Sequence, residues 1–151
     1  AIARATAAAI GAHRVGIRLS PYGVFNSTGG FADVEVQYLA LTQQLSDLGL
    51  LYLHVLDHSA MGAPAVPAEL KSRLRAAFRG LFILAGGFDR TSAERALQAG
   101  QADLIAFARP FLANPDLVAR MQSDAALNAV DAQTFYTPGA KGYTDYPALA
   151  A

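Results

Sequence analysis

Four short apolar runs recur along the chain, at residues 15–19 (VGIRL), 50–55 (LLYLHV), 81–85 (LFILA) and 103–107 (DLIAF), with a helical pattern between each pair. Runs that are apolar nearly throughout, instead of alternating with polar residues, mark strands of a parallel sheet covered on both faces. Parallel neighbours need a crossover of a dozen or more residues, which is usually a helix. The helical patterns supply it. Asp33 is placed to cap a helix in which Val34, Tyr38, Leu41, Leu45 and Leu48 form one apolar stripe, with Gly49 past its end. Pro67 suits the first turn of a second helix with Leu70, Leu74 and Phe78 on one face, closed by Gly80. Thr91 and Glu94 have capping-box spacing, which predicts a third helix ending at Gly100. An alanine-rich helix over residues 2–12 precedes the first strand, and Asn114, Pro115 and Asp116 start a short one after the last. Residues 21–30 are a loop of glycine and small polar residues, and residues 131–151 read as an ordered loop with three tyrosines.

The predicted order is α-β-α-β-α-β-α-β-α. Four βα units are half of an eight-unit barrel, and they are also enough for a small open α/β sheet. Pattern alone does not separate the two. The length, 151 residues, suits one domain over residues 1–151. The chain opens on alanine inside a helical pattern, so the expectation is that something upstream of it is missing.

Composition excludes several classes. Twelve Lys and Arg balance twelve Asp and Glu, so nothing in the charge favours nucleic acid or an anionic membrane surface. There is no cysteine, which excludes disulfides, thiolate chemistry and cysteine-type zinc sites. Asp57 and His58 resemble a metal pair, but no further ligands have the needed spacing, so no metal is expected. No apolar run approaches the roughly 18 residues that span a bilayer. A cytoplasmic enzyme is the plain expectation.

In either architecture, function collects at the carboxyl ends of the strands. Arg18, His54, Gly86 with Gly87, and Arg109 all fall there. Glycines let backbone N–H groups approach an anion, a helix N-terminus beyond them adds a favourable dipole, and arginine offers a charged forked donor. That is a phosphate site in outline. A glycine pair also makes a plain tight turn, and Arg109 also suits a surface ion pair. His54 is read as a strand residue, not a catalyst, and His13 and His58 are assigned no role.

The blocks RLSPYG (18–23), LFILAGGFD (81–89), RPFLANPDLV (109–118) and GYTDYP (142–147) resemble, in order and spacing, the C-terminal half of the Old Yellow Enzyme family. These are FMN-dependent ene-reductases built on a (β/α)8 barrel. The resemblance implies the C-terminal half of such a TIM barrel, about four βα units, completed by another chain or segment. It implies FMN as cofactor, with NADPH or NADH as reductant and an electron-poor alkene such as an enone or enal as substrate. By this resemblance Arg18 stands beside the flavin pyrimidine and stabilises negative charge on the reduced ring. Gly86 and Gly87 cradle the FMN phosphate, Ala108 borders it, and Arg109 pairs with it. Phe25 and Tyr136 border the substrate space. Two positions depart from the family: Ala108 stands where glycine is usual, and Thr137-Pro138 stand in a stretch that is often glycine-rich.

The same resemblance implies that the proton-donating tyrosine and the His/His or His/Asn pair that binds the substrate carbonyl belong to the other half. No catalytic residue is therefore expected in this chain, and a complementary N-terminal half-barrel is the expected partner. Two other readings stay open: a phosphate-binding β/α half-barrel without flavin, and a non-catalytic half-barrel that associates with itself through its open sheet edges.

Overall fold

The computed structural model describes residues 1–26 and 28–149; Ser27, in the loop expected at 21–30, and residues 150 and 151, at the end of the expected tail loop, lie outside the described residues. The chain forms two compact units, Ala1–Ala106 and Phe107–Ala151.

The first unit carries α1 (Ile2–Ile10), β1 (Gly16–Leu19), α2 (Val34–Asp47), β2 (Tyr52–Leu56), α3 (Ala68–Ala77), β3 (Leu81–Ala85), α4 (Arg90–Gln98) and β4 (Leu104–Ala106), with single 3-10 turns at Ala12–Arg14 and Ser59–Met61. All strand pairs are parallel and the sheet order is β1-β2-β3-β4. A doubly wound sheet reverses its strand order at a switch point, whereas a barrel adds each strand beside the last. The observed order is that of a barrel segment, which decides between the two expected architectures.

Register partners in a parallel sheet share a face, and successive residues alternate between faces. Leu53, Val55, Phe82 and Leu84 point to one face and are buried, together with Leu45 of α2, Leu70 and Leu74 of α3, and Phe78. Each such side chain stabilises the fold by about 1.5–3 kcal/mol relative to exposure. The opposite face carries Arg18, His54, Ile83 and Leu104 in one cross-strand row. This face is much less covered: Leu81 is 43% and Leu104 is 50% exposed. Asp103 fastens the start of β4. Its carboxylate accepts from the N–H of Phe82 at 2.7 Å and from Arg75 at 3.0 Å, and that arginine also lies over the Phe82 ring.

Three details differ from the sequence expectation. On α2 the buried positions are Val34, Thr42, Leu45 and Ser46, while Leu41 is exposed. Of the two inward polar residues, Ser46 is used: its hydroxyl accepts from the N–H of Arg79 and ties α2 to the end of α3, while the Thr42 hydroxyl is buried with no hydrogen-bond partner among the described residues. The capping box of α4 is Asp89 with Ser92, not Thr91 with Glu94; the two side chains and backbone N–H groups bond reciprocally at 2.7 and 3.0 Å. A carboxylate two residues earlier is a stronger acceptor for orphan N–H groups than a threonine hydroxyl. Pro67 is the N-cap of α3 and not its first helical residue.

The second unit begins with an unexpected helix. Residues after β4 do not simply end a strand; α5 (Arg109–Ala113) starts there, followed by α6 (Leu117–Ser123) and one 3-10 turn at Ala132–Thr134. Asn114 does not cap α6. It is fully buried, donating to the carbonyl of Pro110 and accepting from the N–H of Asn128, both at 2.8 Å. Asp116 is the N-cap of α6 without a cap bond; its carboxylate holds Arg120 at 2.7 Å and the N–H of Leu149 at 2.6 Å. The Leu149 N–H first, then Arg120, keep its carboxyl below the usual aspartate range. Arg120 is 5% exposed and also donates to the carbonyls of Ala126 and Pro147. These bonds order a tail that contains little helix.

Candidate cofactor site

Arg18, the third residue of β1, is exposed and has no ion-pair or hydrogen-bond partner among the described residues. It opens onto a hollow of about 490 Å³ that it shares with Tyr22, Phe31 and Tyr38. Its neighbour in the row is His54, whose Nε2 is buried without a partner among the described residues. Burial, and then the charge of Arg18, push the His54 pKa below 6.5. The imidazole is thus neutral near pH 7, and Arg18 alone supplies the positive charge of this row. The histidine is a strand residue, as the sequence suggests.

Gly86 and Gly87 follow β3 directly, with φ of 109° and 69°. At Gly86 a second constraint adds to the dihedral: a Cβ there would overlap the carbonyl oxygen of Asp57. At Gly87 a Cβ would meet only ordinary contact with Ala60. Among the described residues no hydrogen bond uses the N–H groups of Gly86, Gly87 or Phe88. Three successive free N–H groups around two positive-φ glycines are a suitable cradle for a phosphate. The helix that follows contributes less than expected. The Asp89 carboxylate already occupies the N-terminus of α4, so its dipole serves that side chain. Two strand spacings, about 10 Å, and three residues of rise, again about 10 Å, separate Arg18 from Gly86 across the sheet and along β3. A cation at one end and a phosphate cradle at the other fit an elongated cofactor with a ring system and a phosphate tail, as FMN has.

Asp57, one residue beyond β2, carries no role in the sequence reading but is the most heavily bonded group at this end of the sheet. It is 6% exposed, and its carboxylate accepts from the N–H of Ser59 at 2.9 Å, the N–H of Val66 at 3.2 Å and the ammonium of Lys71 at 2.6 Å. Burial alone would raise its pKa, but Lys71 and Ser59 together outweigh it and hold the carboxyl below 3.8. The folded state therefore keeps its carboxylate charged more strongly than the unfolded chain does. The stability this adds is complete above pH 3.8 and is lost as the pH falls through the lower folded value. We expect acid unfolding followed by circular dichroism to show that limb, and Asp57→Asn to flatten it.

In the second unit, Ala108 is the N-cap of α5 with φ −102° and ψ −75°, a backbone that alanine adopts without the strain a positive φ would bring. Arg109 is half-buried with no carboxylate or carbonyl partner among the described residues. Tyr136 is 95% exposed with φ 62°. A packed tyrosine with a satisfied hydroxyl is therefore not what stands there. Left-handed backbone at a bulky residue is uncommon and needs support from outside. The GYTDYP block gives it. The Tyr143 hydroxyl accepts from the N–H of Tyr136 at 2.7 Å, the Tyr146 hydroxyl from the N–H of Asp131 at 3.0 Å, and Asp145 from the N–H of Gly142. Gly142 itself has no room for a Cβ against Thr134. Thr137 bonds back to the carbonyl of Thr134. Tyr143→Phe removes one of these bonds, worth about 1 kcal/mol. The backbone amide of Tyr136 should then exchange with solvent several-fold faster, read by hydrogen-exchange mass spectrometry. Phe25, in the first unit, is 38% exposed and lies against the His58 ring with centroids 5.0 Å apart. Exposure at both aromatics leaves them free to touch a ligand.

No group of three or more His, Asp or Glu side chains that would hold a metal comes together among the described residues. No helix among them is long and apolar enough to cross a membrane.

Known proteins resemble this chain closely over part of their length. Putative 12-oxophytodienoate reductase 10 of Oryza sativa subsp. japonica is 43% identical, with 96% of this chain and 48% of that protein aligned. 12-Oxophytodienoate reductase 2 of Arabidopsis thaliana is also 43% identical, over 96% of this chain and 39% of its own length. The solved structure of morphinone reductase superposes with a TM-score of 0.87 at 39% identity, covering 96% of this chain and 39% of the enzyme. A second structure of it, in complex with tetrahydroNAD, gives the same TM-score. The chain thus spans between two-fifths and half of these relatives, in keeping with four strands of an eight-stranded barrel. The sequence profile of the NADH:flavin oxidoreductase / NADH oxidase family, whose cofactor is FMN, matches residues 1–128. This match, with the parallel sheet and its glycine turn, establishes that the chain belongs to that family, which is the family of the Old Yellow Enzyme.

Proposed function

We propose that this chain is the FMN-phosphate and flavin-charge half of an ene-reductase, and that it acts with the N-terminal half of the barrel. The observation that carries this is the pairing, on one sheet, of an unpartnered Arg18 with the free N–H groups of Gly86, Gly87 and Phe88. When bound, FMN supplies hydride transfer from NADPH or NADH to an activated C=C bond. Gly86, Gly87 and Phe88 would hold its phosphate through backbone N–H groups, and by the family resemblance Arg109 would add a charged donor. Arg18 would supply a fixed positive charge to stabilise the negative charge of the reduced ring, an electrostatic contribution that costs no rearrangement. His54 stays neutral and so does not compete for that charge. Phe25 and Tyr136 form part of the wall around the alkene.

Relatives named for reducing 12-oxophytodienoate and morphinone support the reductase part of this reading. Their greater length and the uncovered sheet face around Leu81 and Leu104 support a complementary half-barrel as partner, on another chain or another segment. That half would bring the proton donor and the groups that bind the substrate carbonyl. A cytoplasmic location goes with this reading. The test is the visible spectrum and intact mass of the native protein that carries this chain. We expect flavin absorption near roughly 450 nm, as for a bound oxidised flavin, and a mass that includes the other half. A colourless native protein would remove the flavin from this reading.

A further inference from the structure

The phosphate loop after β3 is not held from its own side, because the N–H groups of Gly86, Gly87 and Phe88 bond to no group among the described residues. Its position is set from the neighbouring strand. The N–H of Asp57 donates to the carbonyl of Ala85 at 2.9 Å, which extends the parallel ladder one step past β2. The Asp57 carbonyl oxygen then fills the space beside Gly86 that a side chain would take. Asp57 is itself immobilised by three donors from three places: the turn beside it (Ser59), the far end of its loop (Val66) and α3 (Lys71).

We infer that Asp57, clamped by Lys71, is a positioning residue for the phosphate end of the cofactor site, acting through its backbone on Gly86. The inference rests on the flavin reading above and goes beyond it, since neither Asp57 nor Lys71 touches the cradle as a ligand would. The carboxylate fixes the peptide of Asp57, and that peptide fixes the path of the glycine turn. Loosening the clamp lets the three N–H groups spread, and they lose their convergence on one anion.

The test compares FMN with riboflavin, which has the same ring system but no phosphate. Dissociation constants for both are measured by flavin fluorescence on the native protein and on its Asp57→Asn and Lys71→Met variants. Asp57→Asn keeps the shape and loses the charge that faces Lys71. Lys71→Met leaves the carboxylate on its two backbone donors, and Lys71 is partly exposed, so this variant decides the matter even where Asp57→Asn does not fold. We expect FMN to bind about 5- to 30-fold more weakly in each, the range for coupled neighbours in one network, while riboflavin binding changes by less than about twofold. Unchanged affinities for both ligands in the folded variants would overturn the inference. So would an equal loss for FMN and riboflavin, which is the mark of a general structural role. Failure of the native protein itself to bind either flavin would overturn the flavin reading and this inference with it, and is seen before any variant is made.

Discussion

Gly86→Ala will destabilise the protein by about 3–5 kcal/mol, combining strain at a strongly positive φ with overpacking. The two contributions can be separated. At Gly87 the φ is also positive but the space is open, so Gly87→Ala should lose only the dihedral part, about 1–2 kcal/mol. Urea unfolding of the two variants measures both. The difference between them reports the collision of a methyl group with the Asp57 carbonyl. Equal losses would mean that the Asp57 peptide moves aside readily, and that the close approach at Gly86 is not a constraint on the loop.

Arg109→Ala should have the opposite profile, with a large effect on the cofactor and little on the fold. Hydrogen bonds to charged groups contribute about 1.5–3 kcal/mol each, so losing this arginine should weaken FMN by roughly 10- to 150-fold. The guanidinium has no protein partner among the described residues, so truncation leaves no buried carboxylate uncompensated. Its stability cost should stay within about 1 kcal/mol, since the half-buried stem loses packing but no ion pair is broken. Flavin content after gel filtration, beside a melting curve, reads both quantities. Retention of FMN at native affinity would remove Arg109 from the phosphate site.

Much of the first unit is legible in the chain itself. The four strands fall where the apolar runs stand, because strands that carry apolar residues on both faces leave near-continuous apolar runs bounded by turn residues. Leu70, Leu74 and Phe78 are all buried, as their spacing demands. The errors occur where two neighbours compete for one task. Asp89 outbids Thr91 as a cap, and Thr42 takes the inward place that periodicity gives to Leu41. In the second unit the governing contacts join residues far apart in the chain: Asp116 with Leu149, Asn114 with Asn128, Tyr136 with Tyr143. No periodicity encodes such pairs, so the helix at Arg109 and the buried Asn114 were out of reach. The candidate site divides in the same way. Gly86, Gly87 and Arg18 announce themselves by residue type at a strand end. Asp57 does not, because its partners Val66 and Lys71 are brought to it only by the loop and helix that intervene.

The bare environment of Tyr136 has a practical meaning for the design of variants. Its side chain contributes almost nothing to packing, while its backbone is kept in a left-handed shape by the Tyr143 hydroxyl. Asparagine and glycine adopt that shape most readily. Phe25, also exposed, is free of the dihedral restriction. A combinatorial library over these two positions would therefore come at low cost in folding, provided residue 136 is drawn first from asparagine and glycine. The glycine turn after β3 offers no such freedom, since the neighbouring backbone has already closed it to side chains. The exposed aromatics are thus the adjustable positions of this scaffold, and the glycine turn is the one to leave untouched.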